Sequence, residues 1–147
     1  MILVREPGAH ILAVATAFPG HSVGPAETAQ ALRHIFPTED GAFIDHLVER
    51  SGVERRYIVP SVEEVLCGSS FGLRNRRYRA AALDLALRAA REAIARSGLA
   101  PDSIDILIDV SCTGIAIPAL DVALAPLLGL RSDVRRVPIT ESGCAAG

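Results

Sequence analysis

The sequence has few cysteines, no excess of either charge and no long apolar run. Its three cysteines, Cys67, Cys112 and Cys144, are odd in number and form no C-x-x-C pair, which disfavours a disulfide framework and a structural zinc site. A net charge of −2 lacks the basic excess of a nucleic-acid-binding protein. No stretch approaches about 18 consecutive apolar residues, and the N-terminus lacks the layout of a signal peptide. We therefore expect a cytoplasmic protein with reduced thiols and no metal, which binds neither nucleic acid nor a membrane.

Apolar residues are abundant and follow both strand-like and helix-like spacing. With 147 residues, 50% of them hydrophobic, the chain suits one domain or part of one. Strands are expected over residues 10–18, 53–59, 104–110 and 134–140, and helices from Pro25 until Pro37, from Thr38 as N-cap to Gly52, over 77–97, and from Pro118 to Gly129. Residues 60–75 are polar and weakly periodic, so a loop is expected there. Strands that alternate with helices indicate an α/β domain with a largely parallel or mixed sheet.

The longest predicted helix, residues 77–97, carries further signals. Asp84 and Arg88, and likewise Glu92 and Arg96, are spaced four apart, as ion pairs on the wet face of a helix are. Gly98 is the expected C-cap, because glycine readily adopts the left-handed conformation that often ends a helix.

Cys144 lies in the segment TESGCAAG, residues 140–147. A thiol just after a strand, in the first turn of a helix, is close to unpaired backbone N–H groups and to the positive end of the helix dipole, and both favour the thiolate. Gly143 and Gly147 allow a tight turn and close packing. Cys144 is therefore a candidate nucleophile. The alternative is a buried cysteine that acts as a small hydrophobic residue, and its immediate neighbours do not decide between the two.

Residues 109–147, DVSCTGIAIPALDVALAPLLGLRSDVRRVPITESGCAAG, resemble the N-terminal half of type III polyketide synthases, the chalcone-synthase-like branch of the thiolase superfamily. They look most like the bacterial tetrahydroxynaphthalene synthases. Three further stretches agree in order: AVATAFPG (13–20), RSGVERRYIVP (50–60), and the alanine-rich helix with SGLAPDSID (97–105). The resemblance implies that residues 1–147 form the N-terminal lobe of a thiolase-like fold, a mixed sheet with packed helices, incomplete at its C-terminal end.

The resemblance also implies roles for particular residues. Cys144 matches the cysteine that carries the acyl starter and the growing polyketide as a thioester, a chemistry that suits a thiolate. Cys112 and Thr113 match positions in the substrate pocket, and Ile117 matches a position that sends an apolar side chain across a dimer interface into the partner's site. The alternatives are a buried hydrophobic role at the end of a strand for Cys112 and ordinary core packing for Ile117.

Two basic positions match the residues that bind coenzyme A in that family. Arg50 matches a position that pairs with the phosphates, for which a planar guanidinium is suited. His46 stands at the other position, where imidazole is neutral for much of the time near pH 7. Coenzyme A thioesters are implied as substrates, with no dissociable cofactor beyond them.

The implied function is that of an acyltransferase that condenses an acyl-CoA starter with malonyl-CoA into an aromatic or pyrone product, as a homodimer. The catalytic histidine and asparagine of the family belong to a C-terminal half that this sequence lacks, so no condensing activity is expected of these 147 residues alone. Glu141 stands near Cys144 in sequence, and its charge would oppose thiolate formation. The alternatives are a condensing enzyme like ketoacyl synthase III and a non-catalytic, truncated lobe that binds a partner.

Overall fold

A computed structural model of the chain describes residues 8–140, so Cys144 and the tight turn expected at Gly143 lie outside the described residues. The elements run in the order β1 (His21–Val23), α1 (Pro25–Ile35), α2 (Gly41–Arg50), β2 (Arg56–Ile58), α3 (Val62–Leu66), α4 (Phe71–Ser97), β3 (Ile106–Ser111), α5 (Leu120–Leu127) and β4 (Arg135–Thr140). A short 3-10 turn, Pro101–Ser103, precedes β3. Within residues 8–140, no helix has both the length and the apolar character needed to cross a membrane.

Helices α1 and α2 pack as a pair around a small apolar core. Pro25 opens α1 at a position where its missing N–H is not needed. The predicted N-cap Thr38 is wrong: Asp40 caps α2, and its carboxylate accepts a hydrogen bond of 3.0 Å from the Ala42 N–H. The reason is that residues 37–39 form a turn instead. The core of this pair consists of Ala29, Ile44 and Val48, with Leu32 packed against it.

Strands β1 and β2 form an antiparallel pair. Val23 pairs with Arg56 and His21 with Ile58, which confirms a shorter form of the strand predicted over 53–59. The strand predicted over 10–18 is wrong for the described structure, where this segment joins no ladder and Ile11 is 87% exposed. A strand needs a partner as well as an apolar pattern. Here the backbone carbonyls at 14 and 18 accept hydrogen bonds from arginine side chains of α4 instead.

The loop predicted over residues 60–75 is also wrong, because two helices begin there. Ser61 and Glu64 form a reciprocal capping box that starts α3. Ser70 then caps α4, its hydroxyl accepting a 3.3 Å hydrogen bond from the Leu73 N–H. Caps satisfy the N–H groups that a helix leaves unpaired at its start. Helix α3 has only five residues, too few to show a helical apolar period.

Helix α4 has 27 residues and extends six residues further towards the N-terminus than predicted. Its predicted ion pairs are confirmed: Arg88 contacts Asp84 at 3.0 Å, and Arg96 contacts Glu92 at 2.7 Å. All four side chains are exposed, so each pair adds only about 0.3–0.5 kcal/mol. Gly98 is confirmed as the C-cap, with φ of +71°.

Strands β3 and β4 pair in parallel, and α5 packs beside them. The strands predicted over 104–110 and 134–140 are confirmed with shifted ends. The helix predicted from Pro118 begins at Leu120 and contains Pro126. Four apolar residues in and after this helix are buried: Leu124, Ala125, Leu128 and Val134. The α/β class is confirmed, although the antiparallel and the parallel pair are two separate two-stranded sheets within residues 8–140.

Candidate active site

The parallel pairing of β3 and β4 brings the ends of both strands to one edge. Ser111, the last residue of β3, is the register partner of Thr140, the last residue of β4. Adjacent strands lie about 4.8 Å apart. Cys112 therefore begins its loop beside Thr140, the last described residue of β4. Cys144 itself lies outside the described residues.

Cys112 and Thr113 are both exposed at this edge. Cys112 is a free thiol that is exposed in the described structure. The alternative, a buried hydrophobic role at the end of the strand, therefore does not fit the structure of residues 8–140. Thr113 lines a cavity of about 410 Å³. The other lining residues come mainly from the end of β2, from α3 and from the first turns of α4: Ile58, Val59, Pro60, Glu64, Val65, Gly68, Ser69, Arg74, Arg77 and Tyr78. The cavity is largely apolar, with polar groups at particular points, as small-molecule sites often are.

Helix α4 fixes the loop that carries these residues. Asn75 donates from Nδ2 to the Ile115 carbonyl at 2.9 Å and accepts on Oδ1 from the Ile115 N–H at 2.9 Å. One turn later, the Tyr78 hydroxyl is hydrogen-bonded to the Ser111 hydroxyl. The Tyr78 ring lies so close to Gly114 that a Cβ at this glycine would collide with it. The sequence interpretation missed Asn75, Tyr78 and Gly114.

Ile117 lies further along the same loop and is 83% exposed. Ordinary core packing within residues 8–140 is thereby excluded for this side chain. A cis peptide bond joins Ile117 to Pro118, just before α5. An exposed apolar side chain suits an interface with another chain, and the predicted dimer contact stays a prediction.

His46 and Arg50 are four residues apart on α2, and both are exposed. Phe43 and Leu47 are exposed on the same helix at neighbouring positions, so apolar and basic side chains alternate along this face. Neither His46 nor Arg50 lines the cavity that Thr113 lines. The structure therefore does not bring the two predicted coenzyme A residues to that cavity, and their role stays a prediction.

The carboxylate of Asp121 on α5 acts on the carboxyl of Asp109 on β3. Asp121, near the start of α5, is 2% exposed, and its Oδ2 is 3.5 Å from Nη1 of Arg136 on β4. Burial raises the pKa of the Asp109 carboxyl on β3, and the negative charge of the Asp121 carboxylate raises it further. Hydrogen bonds from the backbone N–H groups of Asp121 and Leu120 lower this pKa and so partly oppose the rise. Within the part of the chain that the structure describes, no three His, Cys, Asp or Glu side chains are grouped to hold a metal ion.

Comparison with known proteins gives a family match over nearly the whole chain. The model of the chalcone and stilbene synthases, N-terminal domain, matches residues 3–147. The 1,3,6,8-tetrahydroxynaphthalene synthase of Streptomyces peucetius subsp. caesius is 33% identical over 146 residues, which are 98% of this chain and 39% of that protein. The phloroglucinol synthase of Pseudomonas fluorescens is 28% identical over 131 residues, covering 88% of this chain and 38% of that protein. The chain thus spans about two fifths of the length of these curated relatives.

The fold also matches solved structures. The crystal structure of 1,3,6,8-tetrahydroxynaphthalene synthase from Streptomyces coelicolor, described as a bacterial type III polyketide synthase, superposes with a TM-score of 0.82 at 31% identity. The superposed region covers 90% of this chain and 38% of the synthase chain. This similarity confirms the predicted thiolase-like fold class and the predicted correspondence to the N-terminal part of such chains.

Proposed function

Because this chain belongs to the family of the chalcone and stilbene synthase N-terminal domain, we propose that it is the part of a type III polyketide synthase that carries the nucleophile, Cys144. The single observation that carries the proposal is the pairing of Ser111 with Thr140 at one edge of the sheet. Ligands of open α/β sheets bind beyond the carboxyl ends of strands. Cys112, Thr113 and the segment with Cys144 all follow such ends.

The chemistry begins with acyl transfer. The Cys144 thiolate attacks the carbonyl carbon of an acyl-CoA, the C–S bond to coenzyme A breaks, and the coenzyme A thiolate leaves with the electron pair and is protonated. Malonyl-CoA then loses CO₂, and the electron pair of the broken C–C bond forms an enolate. The enolate carbon attacks the Cys144 thioester and displaces the Cys144 thiolate, so the lengthened chain is now a thioester of coenzyme A. The Cys144 thiolate attacks that thioester in turn, its C–S bond to coenzyme A breaks, and coenzyme A leaves and is protonated. Hydrogen-bond donors around the carbonyl stabilise the negative charge that develops on its oxygen.

The remaining predicted residues shape and supply this reaction. Cys112 and Thr113 form part of the wall against which the growing chain lies, and the cavity of about 410 Å³ beside Thr113 offers apolar space. Ile117 extends into the site of a second subunit. Arg50, with His46 one turn earlier, binds the phosphates of coenzyme A at an exposed surface. The histidine and asparagine that complete the site come from the part of the protein that corresponds to the remainder of its longer relatives.

A second candidate is a lobe that binds a partner without catalysis, and an exposed apolar face favours it. Ile108 pairs with Val137, and Val110 pairs with Ile139, so their side chains form rows on one side of the β3–β4 sheet. Five apolar side chains of this sheet are accessible in the described structure: Ile106, Ile108, Val110, Val137 and Ile139. Large apolar patches mark contact surfaces. In a whole synthase the same face would contact the remaining part of the protein.

The two candidate functions differ in whether the protein turns over malonyl-CoA. The full-length protein that contains this chain is incubated with a series of acyl-CoA starters and malonyl-CoA, and the products, CO₂ and free coenzyme A are measured. A polyketide product with matching CO₂ release is expected, and none is expected from residues 1–147 alone. A full-length protein that consumes no malonyl-CoA with any starter would leave the partner-binding candidate.

A further inference from the structure

We propose that Asn75 is a positioning residue that sets the place of Cys112 and Thr113 through the backbone of Ile115. The catalytic consequence rests on the proposed function, whereas the positioning itself rests on the geometry of α4 and the loop after β3. Asn75 contacts neither predicted pocket residue through a hydrogen bond. It acts on Ile115, 40 residues away along the chain.

The two hydrogen bonds use both the donor and the acceptor group of the Asn75 amide. Nδ2 donates to the Ile115 carbonyl, and Oδ1 accepts from the N–H of the same residue, both at 2.9 Å. The asparagine amide offers a donor and an acceptor in one planar group. Within residues 8–140, no other side chain is hydrogen-bonded to residues 112–118. Asn75 is therefore the polar restraint on this loop in the described structure.

Tyr78 holds the loop at a second point. Its hydroxyl bonds to Ser111 at the end of β3, and its ring fills the space where Gly114 would carry a Cβ. Asn75 and Tyr78 are three residues apart and so lie on one face of α4. Cys112 and Thr113 stand between the two fixed points, Ser111 and Ile115.

The position of Thr113 matters because it lines the cavity, as does Tyr78. If the loop at Ile115 is released, the wall formed by Thr113 shifts relative to the apolar residues of β2 and α3 opposite it. The reacting thiol belongs to a different segment, which follows β4. Loss of Asn75 should therefore change which product the cavity favours more than it changes the loading of Cys144.

The first test measures hydrogen exchange of the Ile115 amide in the full-length protein. In Asn75→Ala this amide loses its acceptor, and exchange should accelerate about fivefold or more, the equivalent of one net hydrogen bond. Asn75→Asp keeps an acceptor and loses the donor, so its exchange should lie between those of Asn75→Ala and wild type. Arg76→Ala is the matched control, because Arg76 is the exposed neighbour on the same helix. Equal exchange in Asn75→Ala and Arg76→Ala would overturn the proposal.

The second test measures products. With one starter and malonyl-CoA, Asn75→Ala should shift the ratio of products about threefold or more, while the rate of Cys144 acylation stays within about twofold. Arg76→Ala should leave both unchanged, and circular dichroism shows that each variant is folded. If Asn75→Ala is unfolded, the product ratio and the acylation rate are compared for Asn75→Asp instead. An unchanged ratio would refute the effect of Asn75 on product choice. Failure of the wild-type protein to acylate Cys144 would refute the proposed function instead, while exchange at Ile115 still decides whether Asn75 holds the loop.

Discussion

Ser111 and Thr140 are register partners at the final position of the parallel β3–β4 ladder. Within residues 8–140, both strands therefore end at one edge of the sheet. Cys112 comes directly after Ser111, and Cys144 follows Thr140 by four residues in sequence. A backbone pairing thus brings together Ser111 and Thr140, which are about 30 residues apart in the chain, since parallel strands place their carboxyl ends side by side.

The contact between Gly114 and Tyr78 predicts a costly substitution. Gly114→Ala places a methyl group where the Tyr78 ring lies, and such overpacking typically lowers the free energy of unfolding by about 1–3 kcal/mol. Gly20→Ala is the matched control, because no atom of residues 8–140 lies within 4 Å of a Cβ built there. Urea denaturation of both variants measures the difference. Equal stability of the two variants would show that the ring does not restrict position 114.

Two glycines at the ends of α4 should respond to alanine with opposite signs. Gly98 has φ of +71°, so Gly98→Ala strains the backbone and should lower the free energy of unfolding by about 1 kcal/mol. Gly72 lies within the helix, and the nearest atom to a Cβ there is Nη1 of Arg76 at 3.7 Å, an ordinary contact. Gly72→Ala should raise the free energy of unfolding by about 0.5–1 kcal/mol. Thermal denaturation of both variants tests the pair, and changes of the same sign would contradict it.

The raised pKa of Asp109 predicts a pH-dependent effect on stability. Burial disfavours the carboxylate in the folded state, so the unfolded chain releases this proton first as the pH rises, and the folded state loses stability across that range. Asp109→Asn removes the titrating group. The variant should gain in free energy of unfolding relative to wild type between pH 3 and pH 7, as measured by urea denaturation at both values. If the free energy of unfolding of Asp109→Asn minus that of wild type stays constant or falls from pH 3 to pH 7, the pKa of Asp109 is not raised in the folded state.

Local signals in the sequence predicted most elements but not the contacts between them. The ion pairs of α4 and the cap at Gly98 depend on residues a few positions apart, and both were predicted. The capping box of Ser61 and Glu64 has an equally local pattern, so α3 was within reach of the sequence although a loop was predicted. The hydrogen bonds of Asn75 to Ile115 have no such pattern, because nothing near Asn75 identifies a partner 40 residues away.

The error over residues 10–18 has a related cause. Apolar residues there fit a buried strand, yet β structure requires a second strand alongside, and none pairs with this segment within residues 8–140. For the candidate site, too, the sequence identified residues but not their contacts. Cys112, Thr113 and Ile117 were predicted from their resemblance to a family motif, and only the structure showed that α4 holds their loop.

The most direct test is the detection of an acyl group on Cys144. The full-length protein is incubated with an acyl-CoA, digested and analysed by mass spectrometry, in parallel with Cys144→Ala and Cys112→Ala. We predict one acyl group on the peptide that contains Cys144 in wild type and in Cys112→Ala, and none in Cys144→Ala. An acyl group on Cys112 with Cys144 unmodified, or no acylation with any of a series of starters, would contradict the assignment of Cys144 as the nucleophile.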